Sequence, residues 1–555
     1  MKNNLFFNIS LILLLVLYPL FFPGYMFSLD QSIGIRGWIP NFGDNIFWLG
    51  YVAKLFFLLG IPVWLLQKVV IIGSFFLAVL GGYLLSKKWN NYFASFFLIC
   101  FLIFNPFLYG RFIDGQINIY LSYLLYPLFF YFLRESFEKG GVKNIFSLSF
   151  FSLFLCLTSL HNAIFLFFIG IIFATTYIFS TQKYKNIIFS GLGIGFLNLF
   201  YFIPLIFSST QKGALFSQIS SYGNQIFEAF ATDIGTTNLY FNVLSLHGYW
   251  GERMHRFLNV WEYNPFWWFI FLVIFSLVLY GIFQNIKEKN TFGVSLFILA
   301  IFSYIFTLGI SEQNIFSSLN SLLYEYFPFY AGFREPQKWT IFLVIAYAYF
   351  GGYGILKLQD NILFKKLNKK SILIFILSFL PILYIPGVLS GFGNQIIVKE
   401  YPKSWYDIKK HYKENENVNC KYFNKTKKCY SSVVFPWHSY MSFGFLENKK
   451  TLISITSFFG NNLLSSDNIE IGDVYSFSQR FESKIIEKYI FSDLEKQKNN
   501  AQNFIQELKK LGIEYIFFFK EADYKKYEKF IDFMLENNLL KIKIEKDGIV
   551  LYTLK

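Results

Sequence analysis

Charged residues are scarce in this chain of 555 residues, because Asp, Glu, Lys and Arg together make up 15% of it and hydrophobic residues make up 54%. With a mean hydropathy of +0.41, the composition excludes an ordinary water-soluble globular protein and indicates a polytopic membrane protein. No small-x-small cleavage motif follows the first apolar run, so we expect that run to stay in the membrane rather than to act as a removable signal peptide.

Acidic residues are fewer than basic ones, 35 against 50, which gives a net charge of +15. This surplus does not indicate a nucleic-acid partner, because the Lys and Arg residues gather in short loops between long apolar runs. About eleven of these runs are long enough for a membrane span of about 20 residues. They lie near 5–22, 62–86, 91–108, 117–133, 145–160, 163–180, 187–208, 264–284, 291–309, 339–356 and 371–390.

Basic residues are concentrated in alternate connections, which predicts an N-terminus inside and a C-terminus outside. The apolar stretch 45–60 carries Lys54 and ends before Pro62, so we expect a helix lying in the membrane interface there. We therefore interpret residues 1–395 as an α-helical membrane domain. Residues 396–555, where Lys, Glu, Asn and Asp become dense, are interpreted as an extracytoplasmic α/β or α+β domain.

The end of the C-terminal domain has a recognisable order of elements. The hydrophobic pattern predicts helices at 498–511 and 523–537, and strands at 513–519, 539–545 and 549–554. Lys546-Asp547-Gly548 is typical of a hairpin turn between the last two strands.

Cysteine is rare, with four residues in the chain. Cys100 and Cys156 lie inside apolar runs and are best explained by packing. Cys420 and Cys429 lie in a polar region predicted to be outside, which favours a disulfide between them over a metal site, since a metal would require more Cys or His nearby.

Carboxylates follow the first apolar run at Asp30 and Asp44, beyond the helix-stopping pair Pro23 and Gly24. The next outward connection, "NPFLYGRFIDGQ", places Arg111, Asp114 and Gln116 close to the membrane, where polar groups usually serve a cavity. The alternatives are an ordinary hydrated loop for the first segment, and a self-neutralising pair of Arg111 and Asp114 for the second.

Further candidates lie in later connections. His161 lies between two apolar runs and is a candidate site residue. The alternative is that it only caps a helix at the membrane interface. Trp250, Arg253 and Glu262 belong to an aromatic and charged loop that could bind a headgroup or sugar, or form a structural aromatic belt.

The sharpest motif, "FREPQKW", surrounds Pro336 with Arg334, Glu335 and Lys338. Two cations at the start of a helix predict an anion site, because free N–H groups and the helix dipole also favour a phosphate. Plain interface anchoring is the alternative.

The quoted motifs, together with "FLNLFYFIPLI" and the tail "LKKLGIEYIFFF", resemble the class C (GT-C) polytopic membrane glycosyltransferases, and more narrowly the YfhO-like and arabinofuranosyltransferase-like multispan proteins. The resemblance covers most of the chain. It implies a catalytic carboxylate in the first outer loop, at Asp30 with Asp44 as the weaker choice, and a second acidic position at Asp114. It also implies a polyprenyl-phosphate-linked sugar donor and a glycan, lipid or protein acceptor. No tandem Asp-x-Asp motif occurs in either loop, so a divalent metal such as Mg²⁺ or Mn²⁺ is left open.

This pattern predicts a glycosyltransferase of the cell membrane that transfers a sugar at the outer face with inversion. Asp30 would be the base, Arg334 and Lys338 would hold the donor phosphate together with Arg111, Lys68 or Arg253, and Asp114 would orient the acceptor or bind a metal. His161, Glu335, Gln116, Trp250 and Glu262 would contact substrate. The alternatives are a transporter or flippase of lipid-linked saccharides, which lacks support from an internal repeat, and a scaffold with an outer binding domain.

Overall fold

The computed structural model describes residues 2–35, 46–207, 230–232, 238–311, 314–327, 330–360, 370–412, 430–452, 455–460, 462–471, 474–476, 478, 480–521 and 523–555. Asp44, Cys420 and Cys429 lie outside these residues, so the predictions made for them stay predictions. The chain divides into two compact units. The first comprises 1–21, 41–48 and 68–396, and the second comprises 22–40, 49–67 and 397–555. The domain assignment made from the sequence, 1–395 and 396–555, stays a prediction.

The first unit is helical, and a helix lies in each of the eleven apolar runs. These helices are Lys2–Val16, Val63–Ser86, Tyr92–Ile103, Ile117–Lys139, Val142–Thr158, His161–Thr181, Tyr184–Phe207, Trp267–Lys287, Thr291–Thr307, Thr340–Asp360 and Lys370–Tyr384. Shorter helices of this unit are Pro106–Ile113, Leu239–Leu244, Trp250–Arg253, Val260–Tyr263, Ser317–Tyr326 and Gly391–Asn394, whereas the helix Phe47–Leu58 has most of its residues in the second unit. Single 3-10 turns occur at Tyr18–Phe21, Lys87–Trp89, Tyr330–Phe333, Pro336–Trp339 and Val388–Ser390.

Six helices among the described residues are long and apolar enough to cross a membrane, or seven if a bent pair near the end of the unit is one span. The chain is therefore a multi-pass membrane protein. The number of spans, their orientation and the interfacial position of the helix Phe47–Leu58 stay predictions.

The helix Thr340–Asp360 is the core of the first unit, and all its side chains from Thr340 to Ile355 are buried. Its closest neighbour is the helix Trp267–Lys287. A Cβ atom at Gly281 would lie 1.9 Å from the carbonyl oxygen of Phe350, and one at Gly354 would lie 2.4 Å from that of Leu277. Glycine is needed at both positions because the two backbones touch, which is how small residues let apolar helices pack closely.

The helix ends of the first unit meet in two groups. In one group, Lys88 and Arg134 bind Glu138 at 2.9 and 2.8 Å, and Lys357 binds Glu288 at 2.6 Å. All of these residues lie in or beside connections predicted to be inside. In the other group, the connections that carry Arg111 and Glu335, which are predicted to be outside, meet at the site described below.

The second unit is built on a five-stranded mixed sheet with the strands in the order Leu540–Lys546, Ile549–Leu554, Tyr515–Phe519, Ser432–Phe435 and Leu463–Leu464. The last three strands are parallel, and the first two form the predicted antiparallel hairpin. The predicted helices are present as Ala501–Lys510 and Lys525–Glu536.

Apolar residues cover both faces of this sheet. On one face, Val433, Ile516 and Phe518 pack against the helices Phe481–Ile490, Leu494–Asn499, Ala501–Lys510 and Lys525–Glu536. On the other face, Phe517 and Phe519 contact Phe459 and Trp405 with ring centroids 4.8 and 5.5 Å apart. These partners lie on the helices Ile455–Phe459 and Lys403–His411. The central strands have continuously apolar sequences because both faces of the sheet are covered.

Three two-stranded sheets also occur among the described residues of the second unit. Tyr25–Phe27 pairs with Ile397–Lys399, and Ile469–Ile471 pairs with Val474–Ser476. Tyr440–Ser442 pairs with Lys450–Leu452, and we call this pair the 440–452 hairpin. A 3-10 turn, Gly444–Leu446, lies within its loop.

Candidate anion site

A buried arginine is the centre of the candidate site in the first unit. Asn105 starts the short helix Pro106–Ile113 by accepting a hydrogen bond from the backbone N–H of Leu108, with Pro106 in the first turn. This helix carries Arg111, whose side chain is fully buried. One guanidinium nitrogen of Arg111 donates to Gln116 and also, at 2.8 Å, to Glu335.

The other two guanidinium nitrogens of Arg111, Nε and Nη2, are buried and have no hydrogen-bond acceptor among the described residues. The guanidinium lies over the ring of Tyr249, with its central carbon 3.9 Å from the ring centroid. Stacking of this kind stabilises the charge. It does not supply acceptors for the free N–H groups, so Arg111 retains the capacity to bind an anion in a planar, two-point manner.

Glu335 is the carboxylate that interacts with the cations of this site. Burial raises the pKa of Glu335, but the charges of Lys338, Arg111 and Arg334 outweigh that effect and lower the pKa to about 2. Glu335 is therefore ionised at neutral pH. Three cations act on this one carboxylate, which leaves the group of four with a surplus of positive charge. We call Arg111, Arg334, Glu335 and Lys338 the anion cluster.

Lys338 lies in the 3-10 turn Pro336–Trp339, which leads directly into the helix Thr340–Asp360 as the sequence predicts. Its Nζ lies 3.2 Å from Nε2 of His161. The same ring nitrogen lies 2.8 Å from the carbonyl oxygen of Gly332, and Nδ1 lies 2.9 Å from the hydroxyl of Ser159. A proton on Nε2 satisfies the Gly332 carbonyl, and Ser159 then donates to Nδ1. In that tautomer His161 holds the backbone before Arg334 in place and leaves the protons of Lys338 for another acceptor.

Asp114 joins the cluster through an aromatic residue. Its Oδ2 accepts a 2.6 Å hydrogen bond from the hydroxyl of Tyr249, the residue whose ring stacks on Arg111. Tyr249 also contacts Trp250, and Trp250 contacts Phe230, whose ring lies 5.2 Å from the guanidinium carbon of Arg334. A continuous aromatic path thus connects the two arginines.

The remaining candidates from the first unit have other surroundings. Glu262 is partly exposed, accepts from the backbone N–H of Asn259 in a capping box and pairs with His255 at 3.1 Å. Arg253 ends the short helix Trp250–Arg253, and Lys68 is buried on the helix Val63–Ser86. The structure therefore brings together Arg111, Asp114, Gln116, Glu335, Lys338, His161 and Arg334, with Trp250 beside them.

Tyr249 is not among the site residues predicted from the sequence, although the neighbouring Trp250 is. The signal available was the Gly-Tyr-Trp-Gly order. A Cβ at Gly251 would lie 2.5 Å from Oδ2 of Asp114, and one at Gly110 would lie 2.9 Å from the ring of Phe257. Both glycines therefore permit a close approach beside Tyr249 that a larger residue would block.

Asp30 belongs to the second unit, where its Oδ1 accepts a 2.8 Å hydrogen bond from the hydroxyl of Tyr440. In the part of the chain that the structure describes, no group of three or more His, Cys, Asp or Glu side chains is arranged to hold a metal ion. The carboxylates and histidines named above thus do not form a metal-ligand set, and metal dependence stays a prediction.

Comparison with known proteins gives no matching family model and no matching curated protein. Among solved structures, the arabinofuranosyltransferase AftD from Mycobacteria aligns with a TM-score of 0.56 at 10% identity, over 100% of this chain and 41% of that one. The oligosaccharyltransferase AglB from Archaeoglobus fulgidus, in complex with an inhibitory peptide and a dolichol-phosphate, aligns with a TM-score of 0.47 at 12% identity, over 100% and 70% of the two chains. An apo form of the oligosaccharyltransferase from the same organism gives 0.49 at 11% identity, over 94% and 67%.

The likeness to AftD concerns the fold, and this chain spans about two fifths of the length of AftD. The chain has the fold of a GT-C-type polytopic membrane glycosyltransferase. The resemblance drawn from the sequence is confirmed at that level. Donor, acceptor and residue roles are not carried over by a likeness of this kind.

Proposed function

We propose that the protein is a membrane glycosyltransferase that moves a sugar from a polyprenyl-phosphate-linked donor to an acceptor at the outer face of the cell membrane. The fold supports the general class. The observation that carries the specific proposal is the anion cluster, in which two nitrogens of a fully buried arginine have no acceptor among the described residues and two further cations lie beside them. A lipid phosphate supplies the oxygens that these N–H groups lack.

The proposed reaction is an inverting displacement of a hexosyl or pentosyl group. The acceptor oxygen attacks the anomeric carbon, and the bond from that carbon to the donor phosphate oxygen breaks, so the electron pair leaves with the lipid phosphate. Asp30 takes the proton of the acceptor hydroxyl, which is a poor nucleophile without a base. Arg111, Arg334 and Lys338 stabilise the charge that grows on the departing phosphate.

Asp114 is proposed to orient the acceptor. Its bond to Tyr249 fixes one carboxylate oxygen and links that oxygen to the residue stacked on Arg111. Binding of a divalent metal such as Mg²⁺ or Mn²⁺ by Asp114 is the alternative role in this proposal. Placement of residues 396–555 outside the cell is part of the same proposal, because the donor class is one used at the outer face.

The phosphate role is tested by binding measurements with Arg111→Ala in protein reconstituted into lipid nanodiscs. Synthetic polyprenyl-phosphate hexoses and pentoses serve as donor probes, and bound donor is quantified by native mass spectrometry. Loss of a charge-assisted pair of hydrogen bonds should weaken binding by about 10- to 150-fold. Arg111→Lys should recover part of the affinity, because it restores the charge without the planar pair of donors.

Arg134→Ala is the matched control. Arg134 is a part-buried arginine that pairs with Glu138 at 2.8 Å in the other group of helix ends, so its removal should leave donor affinity unchanged. Unchanged donor binding by a folded Arg111→Ala variant would refute the phosphate site. Absence of transfer by the unmodified protein with every donor in the panel would contradict the glycosyltransferase proposal itself.

A further inference from the structure

The segment around Asp30 is held at several points by later parts of the second unit. Before Asp30, the strand Tyr25–Phe27 pairs antiparallel with Ile397–Lys399. The buried side chain of Gln67 bonds to both backbone groups of Met26, accepting from its N–H at 2.9 Å and donating to its carbonyl at 2.8 Å. The short strand that precedes Asp30 is therefore held by hydrogen bonds along both of its edges.

The 440–452 hairpin contacts the residues next to Asp30. The N–H of Leu452 donates to the carbonyl of Leu29 at 2.7 Å, and the hydroxyl of Thr451 donates to the carbonyl of Ser28 at 2.8 Å. These two bonds fix the backbone immediately before the carboxylate. They come from one strand of the hairpin.

The other strand of the hairpin supplies the contact to the carboxylate itself, the 2.8 Å bond from the hydroxyl of Tyr440 to Oδ1 of Asp30. Beyond Asp30, the hydroxyl of Tyr401 donates to the carbonyl of Ile33 at 2.8 Å, and the N–H of Gly34 donates to the hydroxyl of Ser457 at 2.8 Å. The backbone around Asp30 is thus tied down on both sides, and its side chain is tied down separately.

We propose that the 440–452 hairpin positions the carboxylate of Asp30 for its role as a base, with Tyr440 as the positioning residue. This inference rests on the proposed function and deepens it. It assigns to the C-terminal part of the chain a direct role in preparing the base. Holding a catalytic group in one orientation by its own hydrogen bonds is a general requirement for efficient catalysis.

The bond from Tyr440 has a second physical effect. A phenol donates to the ionised carboxylate better than to the protonated acid, so it favours the form that can act as a base. Removing the hydroxyl should let Asp30 take up a proton at a higher pH. Tyr440→Phe keeps the ring and removes only the donor, whereas Tyr401→Phe removes an equivalent hydroxyl that holds the same segment without touching the carboxylate.

The test is labelling of Asp30 by a water-soluble carbodiimide and glycine ethyl ester, followed by peptide mass spectrometry across pH 4–7. This reagent reacts with the protonated acid, so labelling reports the protonation of Asp30 without any donor or acceptor. Tyr440→Phe should move the labelling curve to higher pH by about 0.5–1 pH unit. Tyr401→Phe should leave the curve in place, and the exposed side chain of Asp493 provides an internal reference in each sample.

The same variants are then assayed for transfer with the polyprenyl-phosphate sugar panel. In Tyr440→Phe, the acidic limb of the pH–rate profile should move to higher pH by the same amount as the labelling curve. In Tyr401→Phe it should stay in place. An unmoved labelling curve in Tyr440→Phe, or an equal shift in both variants, overturns the positioning role. A shifted curve with no transfer by the unmodified protein leaves the hairpin contact in place and refutes the proposed function instead.

Discussion

Replacing Glu335 with Gln is expected to destabilise the protein, although the two side chains have nearly the same shape. The cations Lys338, Arg111 and Arg334 together overcome burial and lower the pKa of Glu335 from 4.5 to about 2. A difference of this size between the folded and unfolded pKa corresponds to about 3 kcal/mol at neutral pH. Glutamine supplies no charge, so three cations would remain in a buried site without their carboxylate.

Unfolding can be followed through two buried thiols. Cys100 and Cys156 are buried and free, so a thiol-reactive dye reaches them only when the helices separate. In a background with Cys420→Ser and Cys429→Ser, the apparent midpoint of Glu335→Gln should fall by about 4 °C for a unit of this size. Glu288→Gln is the control, because Glu288 pairs with Lys357 in a more exposed setting and should change the midpoint by about 1 °C or less.

The pH dependence gives an independent check on the same residue. Because the folded pKa of Glu335 is depressed, its stabilising contribution is present above about pH 4.5 and is lost as the pH falls toward about 2. Tryptophan fluorescence can follow unfolding of both proteins across pH. The difference in stability between the unmodified protein and Glu335→Gln should become smaller below pH 4.5. A Glu335→Gln variant as stable as the unmodified protein at pH 7 would refute the charge assignment of the anion cluster. A stability difference that grows as the pH falls would refute it as well.

Two further predictions concern the chain outside the site. An impermeant thiol reagent applied to intact cells should label a cysteine introduced at Asp547 and not one introduced at Gln182, because the basic connections are predicted to be inside. The reverse labelling pattern would overturn the predicted orientation. Cys420 and Cys429 should be joined in protein recovered from the membrane, where intact-mass analysis without reductant should find a mass 2 Da below that of the dithiol; two free thiols would exclude the bond.

Sequence pattern predicted the helices well, since each of the eleven apolar runs contains one. It also predicted the end of the second unit nearly element by element. Strong periodicity and a Lys-Asp-Gly turn are local signals, so they need no knowledge of the tertiary structure. No equivalent local signal marks the strand Tyr25–Phe27, because a three-residue strand depends on its partner at Ile397–Lys399.

The charged members of the candidate site were predictable from the sequence, but their pairings were not. The motif around Pro336 identified Arg334, Glu335 and Lys338, and the motif around Pro106 identified Arg111. Nothing local indicates that Arg111 pairs with Glu335, 224 positions away, because that contact depends on how the helices pack. For the same reason Tyr440, 410 positions from Asp30, has no signal in its own neighbourhood.

Transfer of a sugar by this chain with Asp30 as the base can be tested directly with purified protein in nanodiscs. Unmodified protein, Asp30→Asn and Tyr401→Phe are given the same polyprenyl-phosphate sugar panel and a mixture of glycan, lipid and peptide acceptors, and transferred sugar is measured by mass spectrometry. Asparagine keeps the shape of the side chain but cannot take the acceptor proton, so turnover should fall by about 10²–10⁴-fold while donor binding persists. Near-normal transfer by a folded Asp30→Asn variant would exclude Asp30 as the base.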